Sequence, residues 1–322
     1  MKVLYVGGYS RSGSTLLARI LGESSQAICV GETRFLWSRG LHDNVDCGCG
    51  KAFRSCPFWT AIGEEAFGGW DRVDVARLVE LDRATNPFRV LPLYRLPPRI
   101  ETPTTRAIRE YVTVLTRLYG AIARVSGASM IVEMSKDPNF ACLLMKTPDI
   151  DLRILHLVRD SRAVAYSWMR HRRLSSPIDG QQFMPQFRPV NTAVKWLGWN
   201  LAFHALGSGR TPYRRIAYES FIAAPRATMC ELNAFVDEDL LGRGTWLTET
   251  AVELGGHHIF SGNPMRERKG SLPIRLDEEW RRGMSWAQRA TVTAVTWPLL
   301  CRYGYPMLPT ASDGTTVDGG GS

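Results

Sequence analysis

The chain lacks any run of about 18 consecutive apolar residues, the least that a membrane-spanning helix requires, so no membrane span is expected. A basic-then-apolar leader is also missing. An apolar strand pattern starts at Lys2, so no signal peptide is expected and the protein is read as cytoplasmic. Nor is there a long basic arm. Lys and Arg number 40 against 31 Asp and Glu, a formal charge of +9. The surplus is scattered singly or in short runs such as "RHRR" (170–173) and "RERK" (266–269). An anionic small molecule suits that pattern better than nucleic acid does. The seven cysteines are odd in number and mostly dispersed, which argues against a disulfide framework and for a reducing compartment. No internal repeat is present.

What is there alternates. Apolar strand patterns at 2–6, 27–30, 130–134, 151–158 and 213–219 are interleaved with helical patterns. The helices are expected at 14–22, 105–125, from the "SKDP" turn to 146, from Ser161 onward, at 190–207, from 220 to 236 and at 285–302, the last bent at Pro298. This alternation predicts an α/β fold, a three-layer sandwich around a central parallel sheet. Residues 1–308 are read as one domain and 309–322, "PTASDGTTVDGGGS", as a disordered tail. Residues 38–60 read as loop, 87–104 as an irregular proline- and aromatic-rich lid, and 174–189 as a polar, mobile stretch. Among the aromatics, Trp196, Trp199 and Trp297 are expected in the core, and Phe88 and Tyr94 at a pocket rim.

Two stretches carry chemistry. The first is "GGYSRSGSTLL" (7–17), a glycine-rich turn between strand and helix. Gly8 and Gly13 have P-loop spacing, but Ser14 stands where the P-loop lysine belongs, and Arg11 lies inside the turn. Backbone N–H groups from Ser12 to Thr15 would meet an anion at a helix N-terminus, with Arg11 adding a planar permanent charge. The second stretch is "LVRDSRAVAYS" (157–167). Arg159 falls at a strand's C-terminal edge, where open parallel sheets bind ligands, and Ser167 follows about two helical turns on. Both could reach a second phosphate.

Together these stretches resemble the 5′-phosphosulfate loop and the 3′-phosphate motif of the sulfotransferases. "CGCG…CPFW" and "GNPMR" resemble a bacterial branch of that family. The resemblance implies a P-loop-like fold and transfer of a sulfuryl group from 3′-phosphoadenosine 5′-phosphosulfate (PAPS) to a hydroxyl. The acceptor would be a small molecule such as a sugar, lipid or natural product, and adenosine 3′,5′-bisphosphate (PAP) would leave. It implies that "RIAYESF" puts Tyr218 near the adenine, and that "SGNPMRERKG" wraps the 3′-phosphate with Arg266, Arg268, Lys269 and Gly270. It also accounts for the missing lysine. That lysine and its Ser/Thr partner serve a triphosphate with Mg²⁺, whereas a phosphosulfate needs no metal.

"GETR" further resembles the tyrosylprotein sulfotransferases, whose glutamate at that place is the base. This implies Glu32 as the base, and Lys136 of "SKDP" as the residue that supports the leaving group with Arg11. His257 and His258 are the rival bases. Two other classes stay open: a nucleotide kinase with Arg11 in place of the lysine, and a non-catalytic nucleotide-binding protein. For Cys47, Cys49 and Cys56 three readings stay open. They could form part of a zinc site with His42 as fourth ligand, an oxidative disulfide, or packing thiols. No metal site is assigned, and oligomeric state is not legible.

Overall fold

Residues Lys2–Gly7 (β1) are apolar on both faces and form the middle strand of a five-stranded sheet. With Ala27–Gly31 (β2), Met130–Lys136 (β3), Asp151–Val158 (β4) and Tyr213–Ala217 (β7), the order is β2-β3-β1-β4-β7, and every pairing is parallel. The computed structural model describes residues 1–97, 100–171, 173–178, 181–241 and 247–307, with backbone alone over 173–178 and 181–182. The tail 309–322 lies outside the described residues, as do 179–180 within 174–189, of which 174–178 and 181–182 are described only as backbone.

Side-chain alternation along β1 builds the layers. Val3 and Tyr5 face a core shared with helices Pro57–Phe67 (α2), Val75–Thr85 (α3), Pro103–Ser126 (α4) and Pro138–Lys146 (α5). Leu4 and Val6 face the opposite core, with Ser14–Leu21 (α1), Tyr218–Ala223 (α8) and Pro225–Val236 (α9). The fold is therefore the expected three-layer α/β sandwich. Ser161–Met169 (α6), Pro189–Gly207 (α7), Trp280–Gly283 (α10) and Trp286–Tyr303 (α11) pack together beside it. Two small antiparallel pairs complete it. Arg173–Ile178 (β5) pairs with Gln181–Phe183 (β6), and Ala251–Leu254 (β8) pairs with Gly270–Pro273 (β9).

Helix starts follow local chemistry. Asp137 caps α5 and Asp160 caps α6 through side-chain bonds to first-turn amides. Ser285 and Gln288 form a capping box on α11, and the helix continues through Pro298.

Several expectations need correction. The 38–60 stretch is not plain loop. It holds a π-helical turn, Leu36–His42, a 3-10 turn, Phe53–Ser55, and the start of α2. Burial of Trp37, Leu41, Phe53 and Trp59 orders it. The proline-aromatic excursion is a 3-10 segment, Phe88–Arg95, packed on α5 rather than a free lid. Tyr94 is buried there and donates to the Thr85 carbonyl, so it is no pocket rim. Phe88 stacks on Trp199, and Trp297 is exposed on α11 rather than in the core.

Candidate functional site

All five parallel strands end on one edge, and each end hands a side chain or turn to the same cleft. After β1 the chain turns through residues 8–13 into α1. Gly8 has φ +121°, and a Cβ there would sit 2.3 Å from the Leu157 carbonyl oxygen. Gly13 has φ +87°, and a Cβ there would sit 2.3 Å from the Tyr218 ring. Both positions thus need glycine for conformation and for room. Gly13 also occupies the N-cap of α1 and offers no side chain to cap its first-turn amides. Those N–H groups and the helix dipole favour an anion at this end. Ser12 turns inward, donating to the Tyr9 carbonyl at 2.7 Å. Arg11 adopts a positive φ of 75°. Its Nε donates to Ser167 Oγ at 2.9 Å, and its guanidinium lies 5.9 Å from the Trp168 ring centroid.

Glu32 leaves the end of β2 and Lys136 the end of β3, the latter at φ 63°. The two form a buried ion pair. Ser261 Oγ donates to the other carboxylate oxygen at 3.1 Å, and Arg39 approaches it at 3.9 Å. Burial alone would push the Glu32 carboxyl up. The charges of Lys136 and Arg39, with the bonds from Lys136 and Ser261, outweigh burial and hold it below its ordinary value. Arg34, the neighbour in "GETR", points instead to Asp137 at 2.5 Å.

Arg159 follows β4 and is buried. It donates to the Arg11 carbonyl at 3.2 Å and to the Asp277 carbonyl at 3.0 Å, and pairs with the Asp277 carboxylate at 3.2 Å. Its guanidinium stands 4.5 Å from the centroid of the Tyr218 ring, which begins α8 at the end of β7. Among the described residues its Nε is buried without a hydrogen-bond partner.

The resulting cleft encloses about 1070 Å³. Of the residues singled out from the sequence, it brings together Arg11, Gly13, Ser14, Thr15, Glu32, Lys136, Arg159, Ser167, Tyr218 and Arg268. Ser12, Arg266, Lys269 and Gly270 are not on its wall. The buried Arg266 guanidinium donates to the carbonyls of Asp46 and Ile259, both at 3.3 Å, so it braces the loop from inside. Both rival histidines are occupied elsewhere. His257 Nδ1 accepts from the Ile259 amide at 3.0 Å while Nε2 donates to the Arg266 carbonyl at 2.7 Å, and burial first of all lowers it to about 4. His258 turns its Nδ1 toward cysteine sulfurs.

Sequence reasoning missed Arg39, Arg275 and Asp277, which line the cleft, and Ser261, which orients Glu32. Arg39, Arg275 and Asp277 sit in no motif, and Ser261 opens "SGNPMRERKG" without having been singled out. Sequence reasoning also missed Arg19, which had a signal: a charge inside the apolar helix "STLLARIL". Arg19 is buried and donates to the carbonyls of Arg266, Arg268 (3.1 Å) and Gly255 (2.9 Å), tying the late loop to α1.

No family model matches the chain, and none of the curated proteins does. Among solved structures the chain is similar to a sulfotransferase domain from the curacin biosynthetic pathway. Identity there is 14%, over 94% of this chain and 97% of that one, with a TM-score of 0.49. It is also similar to a sulfotransferase from Mycobacterium avium, at 13% identity over 74% of this chain and 64% of that one, with a TM-score of 0.42. Neither likeness bears on the chemistry of the cleft. No described helix is long and apolar enough to cross a membrane.

Outside the cleft, Cys47, Cys49 and Cys56 converge, but not with His42. That histidine is exposed beside Asp43, whereas His258 arrives from the late loop to face the three sulfurs.

Proposed function

We propose that the protein is a PAPS-dependent sulfotransferase acting on a hydroxyl of a small-molecule acceptor. The observation that carries the reading is the buried Glu32–Lys136 pair set beside an uncapped helix N-terminus and two arginines, Arg11 and Arg159, on one strand edge. A phosphosulfate with a separate phosphate needs two anion pockets. In this reading the α1 amides, Thr15 and Arg11 would make one, and Arg159 with Ser167 the other, all of these residues lining the one cleft. The orphaned Nε of Arg159 and the missing side-chain cap at Gly13 are donors that an anionic ligand would satisfy. Tyr218, packed under Arg159, supplies a flat surface for a base. Residues 1–308 would act as one transferase unit.

The reaction is an in-line displacement at sulfur. The acceptor oxygen bonds to sulfur as the bond from sulfur to the bridging phosphate oxygen breaks. Glu32 takes the acceptor's proton, and the electron pair of the broken bond leaves on the bisphosphate. Lys136 and Arg11 stabilise the charge that develops there. The ion pair gives this a built-in order. While Lys136 holds Glu32, the carboxylate is a weak base. A donor that draws Lys136 toward its bridging oxygen removes that restraint, and Glu32 becomes more basic when the donor is in place.

One assay separates the classes. The protein is incubated with PAPS and a panel of alcohols in EDTA, and in parallel with ATP and Mg²⁺. The proposal expects bisphosphate release only in the first arm and only with an acceptor. Transfer from ATP would indicate a kinase, and binding without turnover in either arm a non-catalytic protein.

A further inference from the structure

Cys47, Cys49, Cys56 and His258 each present one ligand atom, and these four atoms all lie within 4.8 Å of one another. The separations are specific. Cys49 Sγ and Cys56 Sγ are 3.6 Å apart, Cys56 Sγ and His258 Nδ1 3.2 Å, and Cys47 Sγ and His258 Nδ1 3.7 Å. A tetrahedral zinc ion with Zn–S of about 2.3 Å and Zn–N of about 2.0–2.1 Å requires S···S edges of roughly 3.8 Å and S···N edges of roughly 3.5 Å. These three separations lie within about 0.3 Å of those edges, and the remaining three are no longer than 4.8 Å. We propose that the protein holds one structural zinc ion in a closed Cys3His site made of Cys47, Cys49, Cys56 and His258.

The donor set selects the metal. Three thiolates and an imidazole suit zinc, whereas magnesium and calcium take oxygen ligands. Four protein ligands leave no open position, which marks a structural rather than a catalytic site. The surroundings supply what thiolates need. Backbone N–H groups of Cys49, Lys51 and Trp59 lie near the sulfurs of Cys47, Cys49 and Cys56 in turn, and outer groups so placed orient ligands. His258 is held from two sides, its ring stacked on Phe58 at 4.7 Å and its carbonyl accepting from Trp59 Nε1 at 2.8 Å. This replaces His42, the fourth ligand considered from the sequence. It also adds a metal where none was assigned.

The site ties two distant segments together. One is the turn at 45–56 that follows β2. The other is the strip 258–261, whose Ser261 orients Glu32, and the Gly48 amide bonds to the Ile259 carbonyl at 3.0 Å between them. Zinc would therefore hold the Glu32 support in place without touching the cleft. The inference stands independently of the proposed transfer reaction.

The test uses the full chain, purified without chelator after expression with added zinc. Metal analysis should find about one zinc per chain, and Cys56→Ser should lower that at least tenfold. Cys230→Ser, at an exposed cysteine outside the cluster, should leave it unchanged. His258→Cys should keep the metal, because it preserves four ligands. Should Cys56→Ser fail to fold, cobalt exchanged into the unmodified chain still decides. Thiolate-to-cobalt charge transfer with intense tetrahedral d–d bands supports the site, and their absence overturns it. Zinc below a tenth of an equivalent, iron or copper in its place, full retention of zinc in Cys56→Ser, or a Cys49–Cys56 disulfide in the non-reduced peptide map would each overturn the proposal.

Discussion

Replacing Glu32 with Gln probes the mechanism and the ion pair together. The amide preserves shape, and its single oxygen can still accept from either Ser261 or Lys136 Nζ, but it cannot take a proton. It leaves a lysine whose side chain is 11% exposed without its counter-charge. Removing one partner of a buried pair costs about 3–5 kcal/mol. Here the cleft admits water and the amide oxygen keeps one bond, so about 2–3 kcal/mol is expected. At roughly 2 °C per kcal/mol for a chain of this size, Tm should fall by about 4–6 °C. Adenosine 3′,5′-bisphosphate should recover much of that loss, because the released lysine is drawn to an anion. Turnover with an alcohol acceptor should drop ~10²–10⁴-fold, the usual share of a general base. The drop should be smaller with a nitrophenol, whose proton needs less help.

The pH profile supplies a second readout. Glu32 is held below its ordinary value, so the unmodified protein should lose kcat/KM only below the usual carboxylate range, as falling pH protonates the base. Lys136→Met removes the main charge holding it down, and burial then pushes the limb to higher pH. The Gln variant should show no such limb. Turnover of Glu32→Gln within threefold of the unmodified protein on a true alcohol would refute the assignment of the base. An acid limb that Lys136→Met leaves in place would refute the coupling between the two residues.

Arg159→Ala should narrow the difference in Tm shift between adenosine 3′,5′-bisphosphate and adenosine 5′-monophosphate, since charge-assisted bonds to the extra phosphate are lost. Equal shifts in the unmodified protein would remove the second anion pocket. Arg19→Leu should free the strip 255–269 at its three carbonyl anchors. Trypsin should then cut after Arg268 or Lys269 several-fold faster, with bisphosphate slowing it, and unchanged cleavage would mean that the β8–β9 pairing alone holds the loop. The stability contributed by two buried histidines should fall as pH drops from about 6.5 toward 4. Burial chiefly lowers His156 to about 3 and His257 to about 4, so the unfolded chain takes up protons there that the folded chain refuses. Thermal denaturation across that range, repeated with His257→Gln to flatten part of the slope, checks it.

The local parts of this protein were legible in its residues. An apolar run on both faces, a glycine turn and an uncapped helix start are contiguous, so β1, residues 8–13 and α1 follow from neighbours along the chain. A parallel sheet then forces every strand end to one edge, so Arg11, Glu32, Lys136 and Arg159 were placed there because each follows a strand, while the family resemblance supplied Tyr218. What stayed hidden depends on direction and distance rather than residue type. Arg266 and Arg268 lie two residues apart in one loop, yet the first braces carbonyls inside and the second faces the cleft, a choice made by the packing beneath them. The proline-rich stretch at 87–104 has the composition of a lid, but the apolar surface of α5 was available to cover, and Tyr94 went inward. Trp297 has the character of a core residue and sits on the outer side of α11. Only the tertiary structure could replace His42 with His258, because 202 residues separate His258 from Cys56 and no local pattern encodes that meeting. It likewise set how acidic Glu32 is. Burial and the charge of Lys136 oppose each other there, and their balance is a matter of ångströms between strand ends far apart in the chain.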